Sequence, residues 1–426
     1  MSRLRVAVVG AGWAGLAAAV AATQDGHAVT LLEAARTPGG RARALPVTLP
    51  DGETALLDNG QHILVGAYVE TLGLMETVGV APHAALLRLP LVLRDAHGDG
   101  LALPAWPAPW DALAGIVGAR GWSWADRWSL LRAAAGWQRA GFRCDPGLSV
   151  ADLTHDLSPR VRESMIDPLC VAALNTPAER ASGEVFLRVL RDALFGRGHR
   201  GWGGSNLLLP RQDLGSVFPH EACAWLAAHG AGLRIGRRVQ SLRPAAAGWD
   251  VDGESFDAVV IATPAGEAAR LVEDSGVAAA DWLAAARALD FEAIATVYVT
   301  GGPKLPLPML ALHTGPDAPA QFVFDRGQLG GPPGLLAFVA SASAREKEAL
   351  QAQVLAQAAG LGWQVQPLQT IVEKRATFAC VPGLRRPPPA IAPGLWACGD
   401  YIEGPYPATL EGAVRSGLGA ARRLGR

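Results

Sequence analysis

The sequence predicts an α/β fold: a Rossmann-like domain of the two-dinucleotide-binding type, assembled from separated segments, plus an α+β domain whose sheet is covered by helices. Three observations predict it. Residues 5–33 read as strand, glycine turn, helix and strand. Asp257–Thr263 (DAVVIAT) is an apolar run closed by Pro264, as in a strand buried on both faces. Leu395–Cys398 is followed by a Gly399-Asp400 turn and a helical pattern. These pieces lie at the start, middle and end of 426 residues, a length that suits two domains. The nucleotide domain is therefore expected over 1–83, 205–282 and 390–426, and the second domain over 84–204 and 283–389.

Taken in order, Arg5–Val9 is a short apolar strand, Ala14–Asp25 a helix and Ala28–Glu33 a second strand. A helix-rich stretch is expected from about Ala84 to Arg200. Prolines break it at 104–109, and Ser123 with Asp126 forms a capping box. Leu233–Leu242 and Trp249–Ala262 return to strand character. Leu283 to Gln369 mixes strands with one charged helix near Ala344–Ala359, and the last helix runs from about Ala408 to Leu424.

Composition excludes several classes. Hydrophobic residues make up 50% and charged residues 18%, the reverse of a disordered chain. With 38 basic and 39 acidic residues there is no chain-wide basic footprint for nucleic acid. Five scattered cysteines without a C-x-x-C pair argue against a disulfide framework or a metal site and fit a reducing cytoplasm. Beyond the first helix no uncharged run reaches the roughly 18 residues of a membrane span. The mean hydropathy of +0.18 nevertheless points to a greasy cavity or a membrane-touching surface.

Gly10-Ala11-Gly12-Trp13-Ala14-Gly15 follows a strand and opens a helix. Gly10 allows the tight turn, Gly12 lets the backbone approach a diphosphate, and Gly15 allows close helix–strand packing. The diphosphate would sit on free N–H groups at the helix start. Glu33, about 20 residues on, is placed to accept both ribose hydroxyls and would repel a 2′-phosphate. Gly196–Gly201 matches the same glycine pattern but follows a helix and lacks the acid, so it reads as a flexible glycine loop. No second qualifying fingerprint exists for a nicotinamide.

Gly39-Gly40-Arg41 after the fingerprint, and Gly399-Asp400 before Ala408–Gly417, together resemble the amine oxidase and phytoene desaturase superfamily of flavoproteins. That resemblance implies non-covalent FAD. Arg41 would neutralise diphosphate charge, Asp400 would bond a ribityl hydroxyl, and the last helix, from Thr409 and Leu410, would point its positive end at the flavin pyrimidine. It also brings Gly40, Asn59, Gly60, Gln61, Val239 and Gly399 into the cofactor-binding set. Buried core positions are the expectation for Cys380 and Cys398, against a covalent flavin link.

A narrower resemblance, to the hydroxysqualene dehydroxylases or squalene-associated FAD-dependent desaturases, runs over nearly the whole chain. Its stretches are Leu57–His62 (LDNGQH), Asp167–Cys170, Ala173–Pro177, Leu209–Arg211, Glu373–Phe378 and Gly404–Gly412. It implies an isoprenoid substrate, reductive loss of an allylic hydroxyl by hydride from reduced flavin N5, and an external electron donor. His62 is the first candidate for the proton donor and Asp58 the second. Asn59 and Gln61 would orient water or flavin, while Asn175 and Arg375 read as helix or domain-contact residues. The alternatives are an FAD-dependent desaturase or amine oxidase, and a prenyl-binding protein without turnover.

Six of the 13 tryptophans fall between positions 106 and 137, with five arginines against two aspartates over residues 101–143. Trp124, Trp128, Leu131 and Ala135 form one helical stripe. Two readings stand: an aromatic belt on the cytoplasmic face of a membrane, or the core of the second domain.

Overall fold

The computed structural model describes residues 3–343 and 345–425; the expected helix start at Ala344 lies outside them. Strand β1 (Arg5–Val9), helix α1 (Trp13–Gln24) and strand β2 (Ala28–Glu33) form the opening unit. They are joined by β3 (Gly232–Ile235), β4 (Ala258–Ile261), β5 (Ala390–Ala392) and β6 (Leu395–Ala397) in a six-stranded sheet ordered β3-β2-β1-β4-β6-β5. All pairings are parallel except that of the edge strand β5. Val6, Val8 and Val260 enter one core with α1, while Ala7, Val9, Val259 and Ile261 enter another on the opposite face. Covered on both sides, these strands have no polar face, and their sequences run apolar without alternation.

Helix α1 is buried around almost its whole circumference, as a helix wedged between a sheet and other helices must be. The last helix (Leu410–Ala421) lies so close to it that a Cβ at Gly417 would stand 2.1 Å from the Ala14 carbonyl oxygen. Helix α2 (Val69–Thr77) also packs on the last helix.

The second unit is a five-stranded antiparallel sheet, ordered Met309–Ala311, Phe322–Asp325, Leu336–Ser341, Phe291–Thr300, Gln366–Phe378. Leu350, Val354 and Ala358 of the helix Lys347–Gly360 cover one face against Val297 and Phe338. Tyr298, Phe324 and Val339 turn to the other face, into a core shared with helices of the 150–195 stretch.

Several expectations are corrected. The stretch from Ala84 begins with strands, not helices: Leu86–Leu89, Val92–Arg94 and Gly100–Ala102. Leu86–Leu89 pairs with Leu207–Pro210, and the other two form a hairpin. Pro90 and the turn at Gly98 (φ +84°) permit no helix there. Trp249–Ala262 has the expected strand character, in three pieces: Asp252 and Gly253 (φ +49° and +84°) turn Trp249–Val251 into Glu254–Phe256 as a hairpin, and β4 follows. Leu233–Leu242 keeps strand character only at its ends: β3 stops at Ile235, and pairing resumes at Leu242–Pro244. The Gly196–Gly201 loop is closely packed at two of its glycines. Cβ atoms at Gly196 and Gly198 would each lie 2.1 Å from a backbone oxygen, and Arg200 pairs with Glu76 at 2.8 Å.

Among the described residues no helix is long and apolar enough to cross a membrane, and no His/Cys/Asp/Glu cluster could hold a metal.

Candidate functional site

The parallel strands β1, β2, β4 and β6 end at one edge of the sheet, and the loops leaving them carry most of the singled-out residues. Gly10 turns with φ +112°, and a Cβ there would lie 2.7 Å from the Ala262 oxygen. A Cβ at Gly15 would lie 1.9 Å from the Gly10 oxygen, so this glycine sets the helix against the turn. Gly12 is different: no atom would stand within 4 Å of its Cβ. It caps α1 without any side-chain bond to the first N–H groups. The result is an open cradle of free donors at the positive end of a helix, which suits a diphosphate.

Gly39-Gly40 closes the same cradle. Gly39 N–H donates to the Ala11 carbonyl at 2.8 Å, and a Cβ at Gly40 (φ +62°) would come within 3.3 Å of the Gly12 Cα. Glu33 ends β2 and accepts from Ala11 N–H at 2.6 Å and Ala35 N–H at 2.7 Å. Val239 is buried in the loop beyond β3, where Arg237 N–H donates to the Glu33 carbonyl at 2.8 Å. Arg41 and Asp400, 359 residues apart, form an ion pair at 2.6 Å, and Arg41 also donates to the Ala376 carbonyl at 2.7 Å. Gly399 (φ +158°) lies against the Tyr401 ring. Thr409 caps the last helix by accepting from Gly412 N–H at 2.9 Å, with Leu410 the first helical residue.

Two buried hydroxyls here have no partner: Thr263 Oγ1, just beyond β4 beside Gly10, and Tyr401 OH, next to Asp400. Orphaned buried hydroxyls are uncommon in a finished fold. With the bare Gly12 cradle they fit a large polar cofactor along this edge. Cys398 and Cys380 are buried, and burial pushes both thiols up to about 12.

The LDNGQH stretch leaves the strand Thr54–Asp58 and runs between this edge and the antiparallel sheet. Asn59 donates to the Arg41 carbonyl at 3.2 Å and to Glu373 at 3.3 Å. Gly60 takes φ +106°. Gln61 N–H reaches Thr296 Oγ1 at 3.4 Å, and its side-chain oxygen accepts from Arg326 at 3.4 Å. His62 donates from Nδ1 to the Gly60 carbonyl at 2.7 Å, which leaves Nε2 as the exchangeable nitrogen. Burial, helped by the Arg41 charge, holds His62 below 6.5. Asp58 is 1% exposed. One carboxylate oxygen accepts from Leu214 N–H at 2.7 Å and the other has no partner. Burial raises Asp58 from 3.8 to about 6, against the opposing pull of Arg326.

Asn175 is a contact residue, as expected: in a left-handed helix cap, it bonds Thr377 at 2.9 Å and Ala342 N–H at 2.7 Å. Arg375 is exposed, over the Phe291 ring. Sequence reasoning missed Arg326, Thr296 and Tyr298, and gave Glu373 no site role; all four reach the LDNGQH stretch from more than 200 positions away. Arg326 is buried and Tyr298 donates to the Asp58 carbonyl at 3.0 Å. A signal for Arg326 was the Asp325-Arg326 pair directly after the apolar Phe322–Phe324 run.

A dinucleotide cradle at the carboxyl edge of a parallel sheet, capped by a second antiparallel sheet, defines an FAD-dependent oxidoreductase. The chain belongs to the flavin containing amine oxidoreductase family, whose model matches residues 13–425. It is 28% identical to a hydroxysqualene dehydroxylase of Rhodopseudomonas palustris, over 98% of this chain and 97% of that one. It is 27% identical to a hydroxysqualene dehydroxylase of Zymomonas mobilis, over 97% of each. The fold is similar to that of a Methanosarcina mazei oxidoreductase, with a TM-score of 0.74 at 17% identity, over 98% of this chain and 100% of that one.

Proposed function

We propose that this enzyme removes the hydroxyl of hydroxysqualene to give squalene. The observation that carries the reading is the LDNGQH stretch, which sets two buried proton-holding groups, their pKa values shifted in opposite directions, beside the cofactor edge. Full-length likeness to two hydroxysqualene dehydroxylases supports it. FAD, reduced by an external donor, supplies the hydride that replaces the hydroxyl at carbon.

The chain's own tasks are few. Gly10, Gly12, Gly15 and Gly40 admit the diphosphate, Glu33 and Val239 meet the adenosine end, and Arg41, Gly399 and Asp400 meet the ribityl–diphosphate region. Thr409 and Leu410 bring the positive end of the last helix to the pyrimidine. Burial of Cys380 and Cys398, which raises both thiols, supports a non-covalent mode of binding. Asn59, Gly60 and Gln61 carry the loop across the flavin site. His62, gaining a proton at Nε2, delivers it to the allylic hydroxyl, which departs as water and leaves a delocalised cation. Asp58 is the second donor candidate: its raised pKa retains a proton further towards neutrality than a free carboxyl does. Burial of the site excludes water that would recapture the cation.

Glu33→Ala should lower FAD occupancy, since each charge-assisted ribose bond is worth roughly 1.5–3 kcal/mol before compensation. Acid precipitation should release all of the flavin. Full occupancy in the variant, or flavin retained in the pellet, contradicts the cofactor assignment.

A further inference from the structure

We propose that helices α3 (Trp110–Val117) and α4 (Trp124–Arg139), with the loop before them, form a docking surface for a bilayer bearing anionic headgroups. Trp106, Trp110, Trp124 and Trp128 are 59%, 63%, 70% and 69% exposed. The core reading is therefore wrong for these four, although Trp122 is buried. Indole carries more apolar area than almost any side chain, so four in water on one segment need a partner.

They are ordered, not scattered. On α3, Trp110, Leu113 and Val117 recur at i, i+3 and i+7 and are all exposed, while Gly115 and Ile116 are buried. On α4, Trp124 and Trp128 stand one turn apart, and the fully buried Leu130 lies on the opposite flank. The stripes adjoin. Arg127 donates to the Ala119 carbonyl, just past α3, at 2.8 Å, and its guanidinium lies 4.8 Å from the Trp124 ring centre. The loop Ala105–Pro109 is wholly exposed and carries no charge.

Charge selects the occupant. Arg120, Arg132, Arg139 and Arg143 are exposed, whereas of the two acids Asp111 is buried and Asp126 is tied into the Ser123 capping box. The surface is thus cationic on a chain of net charge −1. A two-fold contact with a second copy would set these arginines against one another, which disfavours self-association. An anionic interface instead accepts indoles at headgroup depth and arginines beside phosphates. With no spanning helix among the described residues, the contact is peripheral.

The proposal does not depend on the dehydroxylase reading, and its test is separate. The purified holoprotein is sedimented with vesicles of phosphatidylcholine alone and of phosphatidylcholine mixed with phosphatidylglycerol. Binding is expected to the mixed vesicles and to weaken with salt. Trp124→Ala with Trp128→Ala, and separately Arg120→Glu with Arg132→Glu, should each lower partitioning at least about tenfold. Flavin content and melting temperature should stay unchanged. The proposal fails if the wild-type protein stays in the supernatant or if neither pair of substitutions lowers its sedimentation. It fails too if the tryptophan variant precipitates or loses flavin, or if the tryptophans hold together a dimer rather than a vesicle contact.

Discussion

Asp58 and His62 stand four residues apart and are pushed in opposite directions by the same cause, removal from water. For Asp58, burial penalises the anion, so its folded pKa lies at about 6 rather than 3.8. A raised folded pKa contributes stability that is fully present below 3.8 and lost as pH rises through about 6. Asp58→Asn keeps the acceptor for Leu214 N–H and abolishes that loss. It should therefore raise the melting temperature at pH 8, by up to about 3 kcal/mol of stability, and change little at pH 4; an equal effect at both pH values contradicts the assignment. For His62, the folded value is lowered, so the imidazolium is scarce at neutral pH. If His62 delivers the proton, the single-turnover rate should fall as pH rises through a value below 6.5. His62→Gln should then slow the step by roughly 10²–10⁴-fold and flatten that limb, whereas Asp58→Asn should preserve it. A flattened limb in Asp58→Asn alone would move the donor role to Asp58. At this scale the glycines were legible, because tight turn, open approach and close packing each demand a missing Cβ at Gly10, Gly12 and Gly15. The pairing of Arg41 with Asp400, and of Gln61 with Arg326, was not: no local pattern joins residues hundreds of positions apart.

Among the elements, α2 begins at Val69, after an N-cap residue, Tyr68, that makes no side-chain capping bond. The cap comes from the last helix. Glu411, fully buried, accepts from Glu70 N–H at 3.2 Å, Thr71 N–H at 3.0 Å and the Thr71 hydroxyl at 2.7 Å, and pairs with Arg415 at 2.7 Å. Gly412 beside it is equally fixed, since a Cβ there would lie 1.8 Å from the Tyr406 oxygen. Glu411→Ala would orphan three donors and an arginine, and should cost about 3–5 kcal/mol, read as a lowered urea midpoint. A loss below about 1 kcal/mol would mean water replaces the carboxylate. Elements were legible wherever period and punctuation agreed, as in 5–33, the Ser123 capping box and the apolar β4. They were lost where strands are three or four residues long. Leu86–Ala102 holds such short pieces that their apolar pattern suits either structure; the breaks at Pro90 and Gly98 and the pairings, of Leu86–Leu89 with Leu207–Pro210 and of Val92–Arg94 with Gly100–Ala102, make them strands.

For the whole molecule, the parallel sheet draws on residues 5–33, 232–261 and 390–397, and the antiparallel sheet is inserted between its last two segments. This threading lets a single stretch, LDNGQH, touch both Arg41 and strands of the antiparallel sheet. The separation of segments was readable from three strand–turn patterns, but the order of strands was not, because parallel neighbours leave no local mark. The proposed function has a site so assembled, with its cofactor cradle on one sheet and its proton donors beneath another, working in the reductive direction. The direct test is anaerobic incubation of the purified protein with FAD, dithionite and hydroxysqualene, followed by identification of the hydrocarbon formed. The account predicts squalene, formed only with the reductant and in proportion to flavin reoxidised. A product with more double bonds, appearing as flavin becomes reduced and without dithionite, would contradict it.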